Sequence, residues 1–447
     1  MQYRSTRGGS ADRSFSDVLL EGLAPDGGLF VPETIPQLAR LEGGYPATTA
    51  SIVRPFIEPD PIASELAELT TEVYGRFGHP DVAPLRRVSD RFVLELIWGP
   101  TLSFKDYALQ LVGALFGRVM ERRGDRIVIL GATSGDTGAA AIEACRGLPG
   151  VDIVILFPAS GVTEIQRRQM TTVADTNVHA VAVDGTFDDC QRMVKEAFTV
   201  GGVPRLAAVN SINWARIMIQ AAYYAHAAGQ IDGPAHFVVP TGNFGNVLSG
   251  HLARRLGVPI AGLTVANNAN HGLTDLISTG RLEVSPVTST VAPAMDIQVP
   301  SNLERYLFEV VGGDSTKIRE IQAELSMSGA LLLDAAVAER LRKDFSAAWR
   351  PDVDVVETIR RVHETTGVIL DPHTAVAWRV ADDLEIADPM VVISTAHPSK
   401  FTETVTEAIG SAPPLPAELE ARLSGPEKTV GMPADMTALA ELLAGLG

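Results

Sequence analysis

From about Phe92 onward, short β-branched apolar runs alternate with Ala- and Leu-rich segments of helical period. That alternation predicts βα units in a mostly parallel sheet, and so an α/β fold class. Five strands follow from the apolar runs: Ile127 to Gly131, Val151 to Phe157, His179 to Val183, His236 to Pro240 and Met390 to Ser394. The first runs into Ala132-Thr133-Ser134-Gly135-Asp136-Thr137-Gly138 and a helix over Ala139 to Cys145. After the third, Thr186 followed by Asp188 and Asp189 predicts an N-cap and an acidic first turn for a helix through Phe198. The fourth leads into Thr241-Gly242-Asn243-Phe244-Gly245-Asn246 and a helix through Leu256, and the fifth ends in Thr395-Ala396-His397-Pro398. Open α/β sheets bind ligands at the carboxyl ends of their strands, so the junctions after Gly131, Pro240 and Ser394 are where a site is expected.

Before residue 85 the texture differs. Pro25-Asp26-Gly27-Gly28, Pro32, Pro36, Gly43-Gly44 and Pro59-Asp60-Pro61 divide the chain into short stretches, which reads as a small N-terminal accessory domain over residues 1–85. A length of 447 residues predicts two or three packed units. Acidic residues outnumber basic ones, 54 to 37, which argues against nucleic acid or an anionic membrane surface as partner; any anion must be met locally. No apolar run approaches a membrane span and no secretory core precedes the folded part, so the expected location is the cytoplasm. Cys145 and Cys190 form no ligand pair and the histidines show no paired spacing, so no protein-built metal site is expected.

Lysine is rare, and arginine carries most of the positive charge. Lys105 lies in Ser103-Phe104-Lys105-Asp106, just before an apolar helix from Tyr107 to about Met120. A desolvated lysine is the kind that attacks a carbonyl to form a Schiff base. The same position also suits a lysine paired with aspartate at a helix start, its stem lying along apolar surface. In Gly242-Asn243-Phe244-Gly245-Asn246, glycines permit close backbone approach and the following helix aims its N–H groups at an anion, as a phosphate site would require. A tight strand-to-helix turn with no ligand explains the same residues. Neither glycine loop is followed by Gly-Lys-Ser/Thr, and no G-x-G-x-x-G follows these strands, which weakens ATP and NAD. Thr133-Ser134-Gly135-Asp136-Thr137-Gly138 offers hydroxyls and backbone donors for a carboxylate, with ordinary helix capping as the competing explanation.

Taken together, Ser103 to Asp106, Thr133 to Gly138, Gly242 to Asn246 and Thr395 to Pro398 resemble, in order and spacing, the pyridoxal-phosphate enzymes of the tryptophan-synthase-β fold type. Within that group the chain is similar to the threonine synthase family of the shorter bacterial and fungal type. Tyr3-Arg4-Ser5-Thr6-Arg7-Gly8, the run from Glu21 to Pro32 and Asn210-Ser211-Ile212-Asn213-Trp214-Ala215-Arg216 carry that narrower likeness, which extends from residue 3 to about 405. The resemblance implies two open, mostly parallel sheets with flanking helices. It divides the chain beyond the accessory domain into a large cofactor-binding unit (86–108 and 236–447) and a small unit (109–235) that closes over substrate.

The resemblance also implies roles. Lys105 would carry pyridoxal 5'-phosphate as a Schiff base and shuttle protons, with Phe104 packed near the ring and the cofactor phosphate held by Gly242, Asn243, Phe244, Gly245 and Asn246. Thr395 or Ser394 would meet the pyridine nitrogen; a neutral hydroxyl there does not keep that nitrogen protonated. The implied substrate is O-phospho-L-homoserine, turned with water into L-threonine and phosphate by γ-elimination and β-addition. Thr133, Ser134, Asp136 and Thr137 would sit around its carboxylate, and Ser211, Asn213 and Arg216 around its phosphate. Asp136 departs from the asparagine of many relatives in the wider fold type: an ionised aspartate facing the cofactor's phenolate is repulsive, so either it points elsewhere or a proton is shared. Two other functions use the same features, a serine/threonine dehydratase or other β-lyase of this fold and a non-catalytic binding protein that keeps the scaffold. The N-terminal block speaks against the first and the intact Lys105 against the second.

Overall fold

The computed structural model describes residues 1–38, 41, 43–200 and 205–446. In chain order the strands are β1 (Tyr3–Ser5), β2 (Phe30–Pro32), β3 (Leu85–Val88), β4 (Arg91–Glu95), β5 (Ile127–Ala132), β6 (Val151–Pro158), β7 (Val178–Asp184), β8 (Leu206–Ala207), β9 (Ala235–Pro240), β10 (Ile260–Asn267), β11 (Arg281–Glu283), β12 (Ala330–Leu332), β13 (Ser346–Trp349), β14 (Met390–Ser394) and β15 (Val430–Pro433). They build one six-stranded sheet in the order β13-β10-β9-β14-β4-β3 and one five-stranded sheet in the order β15-β7-β6-β5-β8. Every pairing within them is parallel except that of β3 with β4. The fold is therefore the two-sheet α/β architecture that the resemblance implies. Parallel strands with helices on both faces are buried on both sides, which is why β6 and β9 are buried along their whole length and read as predominantly apolar runs, interrupted by the buried Asp152 and His236.

All five expected strands and the helices after them are present, with ends shifted by a residue or a few. Thr186 caps the helix Phe187–Val200 as expected, accepting from the Asp189 N–H at 3.2 Å. The first 85 residues are more regular than their turn signals suggest. They hold the hairpin-like pair β1-β2 and the helices Phe15–Glu21, Tyr45–Ile57 and Leu66–Tyr74. Pro55 inside the second of these, and the glycines before it, hide its helical period in the sequence.

Three helices determine where the site lies. Lys105–Arg123 packs against Asp136–Cys145 so closely that a Cβ on Gly113 would stand 2.2 Å from the Ala144 carbonyl oxygen; glycine is required there by backbone contact. Trp214–Ala228 is buried on nearly every side and carries Tyr223 and Tyr224 against the start of Gly245–Arg255. The accessory segment is fastened to these elements: Tyr74 Oη donates to the Tyr107 carbonyl at 2.7 Å, and Arg7 pairs with the buried Glu304 at 2.8 Å. Among the described residues no helix is long and apolar enough to cross a membrane.

One boundary differs from the sequence reading. The stretch assigned with the large unit up to residue 447 does not stay there, because β15 pairs in parallel with β7 and completes the edge of the five-stranded sheet. Leu439 and Leu443 of the following helix Met436–Ala444 are buried in the same cluster as Val181 and Val183. Four residues containing a glycine and a proline carry too little periodicity to announce a strand, so only the pairing partner reveals it.

Candidate active site

The loops after β5, β9 and β14 all lie at carboxyl ends of parallel strands, and the structure links them. The Phe104 N–H donates to the Thr395 carbonyl at 2.8 Å, which sets the first turn of Lys105–Arg123 against the end of β14. Lys105, 8% exposed, then reaches across to the head of the helix after β5, its Nζ 3.3 Å from Asp136 Oδ2. Its ammonium also lies 5.1 Å from the centre of the Phe104 ring.

Asp136 therefore points into the site. Its other oxygen accepts from Lys400 Nζ at 2.8 Å and from Gln166 Nε2 at 2.9 Å. Burial alone would raise the Asp136 carboxyl, but Lys400 and Lys105 outweigh it and hold the group far below the usual carboxylate range. Burial also pulls the Lys105 ammonium below the usual lysine range; Asp136 opposes this, while Lys400 and Arg216 reinforce it. An amine in this state gives up its proton more readily than a surface lysine. The neighbouring Asp106 faces away, accepting from the Thr101 N–H and hydroxyl, each at 2.8 Å, and serves to fold the turn before the lysine.

Three sets of donors around this amine lack acceptors. The first is the glycine loop. Phe244 takes a left-handed backbone, φ +62°, and the N–H groups of residues 242–246 bond to nothing among the described residues. Such a concave row of N–H groups at a helix start is a phosphate cradle. A Cβ on Gly242 would come within 2.6 Å of the Ala294 carbonyl oxygen, so only glycine lets the chain pass there. Asn246 Oδ1 accepts from Tyr223 and Tyr224, each at 2.7 Å, and its buried Nδ2 has no acceptor among the described residues. The second set is the head of the helix Asp136–Cys145. Thr133 Oγ1 accepts from the N–H groups of Gly135 and Gly138 at 3.0 and 2.9 Å, while those of Ser134, Asp136 and Thr137 carry no partner among the described residues. The third is Arg216, 4% exposed, whose Nε and Nη1 are buried without an acceptor among the described residues. Burial lowers this guanidinium to about 10, a sign of a cation with nothing to neutralise it.

The remaining expected residues divide. The Thr395 hydroxyl makes no hydrogen bond among the described residues, and the Thr395 N–H donates to Thr374 Oγ1 at 3.2 Å. Ser211 Oγ lies 3.4 Å from Ser301 Oγ, which in turn donates to Asn243 Oδ1 at 3.2 Å, so the 210–216 segment is tied to the glycine loop. Asn213 turns the other way. It caps the helix Trp214–Ala228, accepting from the Ala215 N–H at 3.1 Å, and its amide donates to the Leu19 and Ala208 carbonyls. The Phe244 ring packs into the core against Tyr306 and Phe345, so that residue offers the site only its backbone. Sequence reasoning passed over Lys400, Gln166, Ser301 and Asn302. Asn302 clamps the Asn243 carbonyl through both its N–H and its amide. A signal existed only for Lys400, a rare lysine two residues beyond Thr395 to Pro398; the others act through partners far away in the chain.

The description "Pyridoxal-phosphate dependent enzyme" matches residues 92–339, "Threonine synthase N terminus" matches residues 2–74 and "Threonine synthase, C-terminal" matches residues 374–443. Threonine synthase of Pseudomonas aeruginosa is 44% identical over 452 residues, covering 98% of this chain and 96% of the relative. That of Corynebacterium glutamicum is 39% identical, covering 99% and 98%. Among solved structures, pyridoxal-phosphate-bound threonine synthase from Brucella melitensis superposes with a TM-score of 0.95 at 41% identity, covering 100% of this chain and 99% of that one. The yeast threonine synthase structure gives 0.92 at 35% identity, covering 99% and 97%.

Proposed function

The chain belongs to the threonine synthases, which are pyridoxal-phosphate-dependent lyases, and from that premise we propose that its substrate is O-phospho-L-homoserine and that Lys105 is the amine that carries the cofactor. The observation that supports this reading best is a match of number. Beside the buried Lys105 and at the strand ends linked to it stand three separate groups of donors that have no acceptors among the described residues. The cofactor brings one phosphate, and the proposed substrate brings a carboxylate and a second phosphate. A dehydratase acting on serine or threonine would supply only two of these anions and leave Arg216 buried and uncompensated.

In this reading the N–H row 242–246 and the Asn246 amide hold the cofactor phosphate. Thr395 faces the ring nitrogen, Phe104 lies near the ring, the Ser134 to Thr137 segment takes the substrate carboxylate, and Arg216 with Ser211 takes the substrate phosphate. When bound, pyridoxal phosphate supplies an electron sink for the charge left at Cα and Cβ as protons are removed. The protein's part is proton traffic and orientation. Lys105 Nζ takes the Cα proton and a Cβ proton, and the Cγ–O bond breaks with its electron pair leaving on phosphate. Cγ and Cα then receive protons, and the hydroxyl of water adds at Cβ while the water's remaining proton balances the departed phosphate. Arg216 meets the phosphate as its charge grows, where a desolvated guanidinium acts most strongly.

The units 1–85, 86–108 with 236–447, and 109–235 are part of the same proposal, with the segment from β15 onward moved to the small unit; closure of that unit would exclude water from the lysine. A cytoplasmic location is also proposed, supported by two buried cysteines that are both free thiols. The deciding experiment measures phosphate release from phosphohomoserine and 2-oxobutanoate release from threonine, for the wild type and Lys105→Ala. Phosphate release by the wild type, reduced at least about a thousandfold in the variant, is the expected result. Ketoacid from threonine with no phosphate from phosphohomoserine would replace this reading with the dehydratase.

A further inference from the structure

Asp136 serves two lysines unequally. Oδ1 receives Lys400 Nζ at 2.8 Å together with Gln166 Nε2 at 2.9 Å, whereas Oδ2 receives, among the described residues, only Lys105 Nζ, at 3.3 Å. Lys400 has a second anchor, the Thr101 carbonyl at 2.7 Å, and its side chain is completely buried. Removing one partner of a buried ion pair normally strands the other charge, at a cost that would oppose any reaction in which the lysine must leave its carboxylate. Here the carboxylate keeps a closer, better-anchored partner whatever Lys105 does. We propose that Lys400 is a positioning residue for the reaction: it holds Asp136 ionised and in place, so that the Lys105 amine can give up its proton, bond to a carbonyl and return without stranding a buried charge.

The charged groups around Lys105 are Asp136 on the helix after β5, Lys400 on the short turn Pro398–Phe401 and Arg216 on Trp214–Ala228. Asp106, on the lysine's own helix, also feels Lys400. Lys400 therefore acts twice, by occupying Asp136 and by adding positive potential near Lys105, and both favour the neutral amine. Nothing in the sequence reading gives Lys400 a role, and the inference rests on Lys105 being the cofactor's amine.

The test measures the rate at which full-length protein, stripped of cofactor, attaches pyridoxal phosphate covalently, followed by absorbance across a pH series. Lys400→Met leaves Asp136 wholly to Lys105, so the midpoint of the pH dependence should rise by about one unit and attachment at neutral pH should slow by about tenfold. Lys400→Arg should stay near the wild type, and Asp136→Asn should move the midpoint down. A Lys400→Met protein with wild-type circular dichroism and an unmoved midpoint overturns the proposal. Should that variant fail to fold, an unmoved midpoint in Asp136→Asn overturns it equally. Lys105→Ala separates the two readings: attachment that persists in this variant removes Lys105 from its role, while attachment lost in it alongside an unmoved Lys400→Met midpoint removes only the part given to Lys400.

Discussion

The Phe104 N–H and the Thr395 carbonyl are joined at 2.8 Å, so the residue before Lys105 and the hydroxyl residue at the end of β14 are held by a main-chain bond that a change at the Thr395 side chain leaves in place. Thr395→Val therefore isolates the hydroxyl. Its shape is kept and the backbone link remains, so the melting temperature should stay within a few degrees of the wild type. The loss of one hydrogen bond at the ring nitrogen should lower kcat by about tenfold and shift the visible band of the bound cofactor. A variant with unchanged spectrum and rate would show that Thr395 does not face the ring.

Arg216 presents opposite expectations for stability and activity. Its guanidinium is buried with two nitrogens lacking acceptors among the described residues, so Arg216→Met should leave the stability of the protein without substrate unchanged or raise it, by roughly 1–3 kcal/mol in urea unfolding. Activity should fall at least about a hundredfold in kcat/KM, because charge-assisted bonds to the substrate phosphate are lost. A destabilised protein with intact KM would mean the arginine is structural.

Gly242→Ala places a methyl group 2.6 Å from the Ala294 carbonyl oxygen, and the loop can accept it only by moving. The N–H row then loses its curvature, and the Kd for pyridoxal phosphate should rise about tenfold or more, measured by titrating cofactor-stripped protein. Gly245→Ala is the milder control, since its nearest neighbour would be 3.4 Å away.

His397 links the site to pH. Burial lowers its imidazole to about 4 from 6.5. Because the folded-state value is depressed, the stability it contributes is complete above about pH 6.5 and is lost as pH falls toward 4. Its Nδ1 accepts from the Ser399 N–H at 3.2 Å, a bond that protonation of that nitrogen would break. Between pH 7.5 and 5 the wild type should lose about 2 kcal/mol more than His397→Asn, which keeps a capping acceptor and has no titrating group. Parallel urea melts at the two pH values measure the difference, and equal losses would contradict it.

The strands around the site were legible because parallel strands buried on both faces must be predominantly apolar, and β5, β6, β9 and β14 are, with only Asp152, His236 and the terminal Ser394 departing from that rule. Loops at their ends followed from the same logic. Trp214–Ala228 was harder: a helix buried all round has no polar face, so its period disappears even though it carries Arg216. Asn213 and Phe244 show a second limit. Their residue types fit a ligand site, yet the direction of a side chain depends on neighbours such as Leu19, Tyr306 and Phe345 that the local sequence does not contain. Lys400 shows a third, since its meaning comes from a carboxylate on the helix after β5, far away in the chain.

The pairing of β15 with β7 has a consequence for the newly made polypeptide. The β7 edge of the five-stranded sheet lacks its partner until every strand of the six-stranded sheet has been synthesised, because β15 follows β14 in the chain. An uncovered parallel strand is a template for association with another nascent copy. Overcrowded expression should accordingly favour aggregates seeded through residues 178–184, and a peptide supplying the missing rim in trans would be the natural remedy.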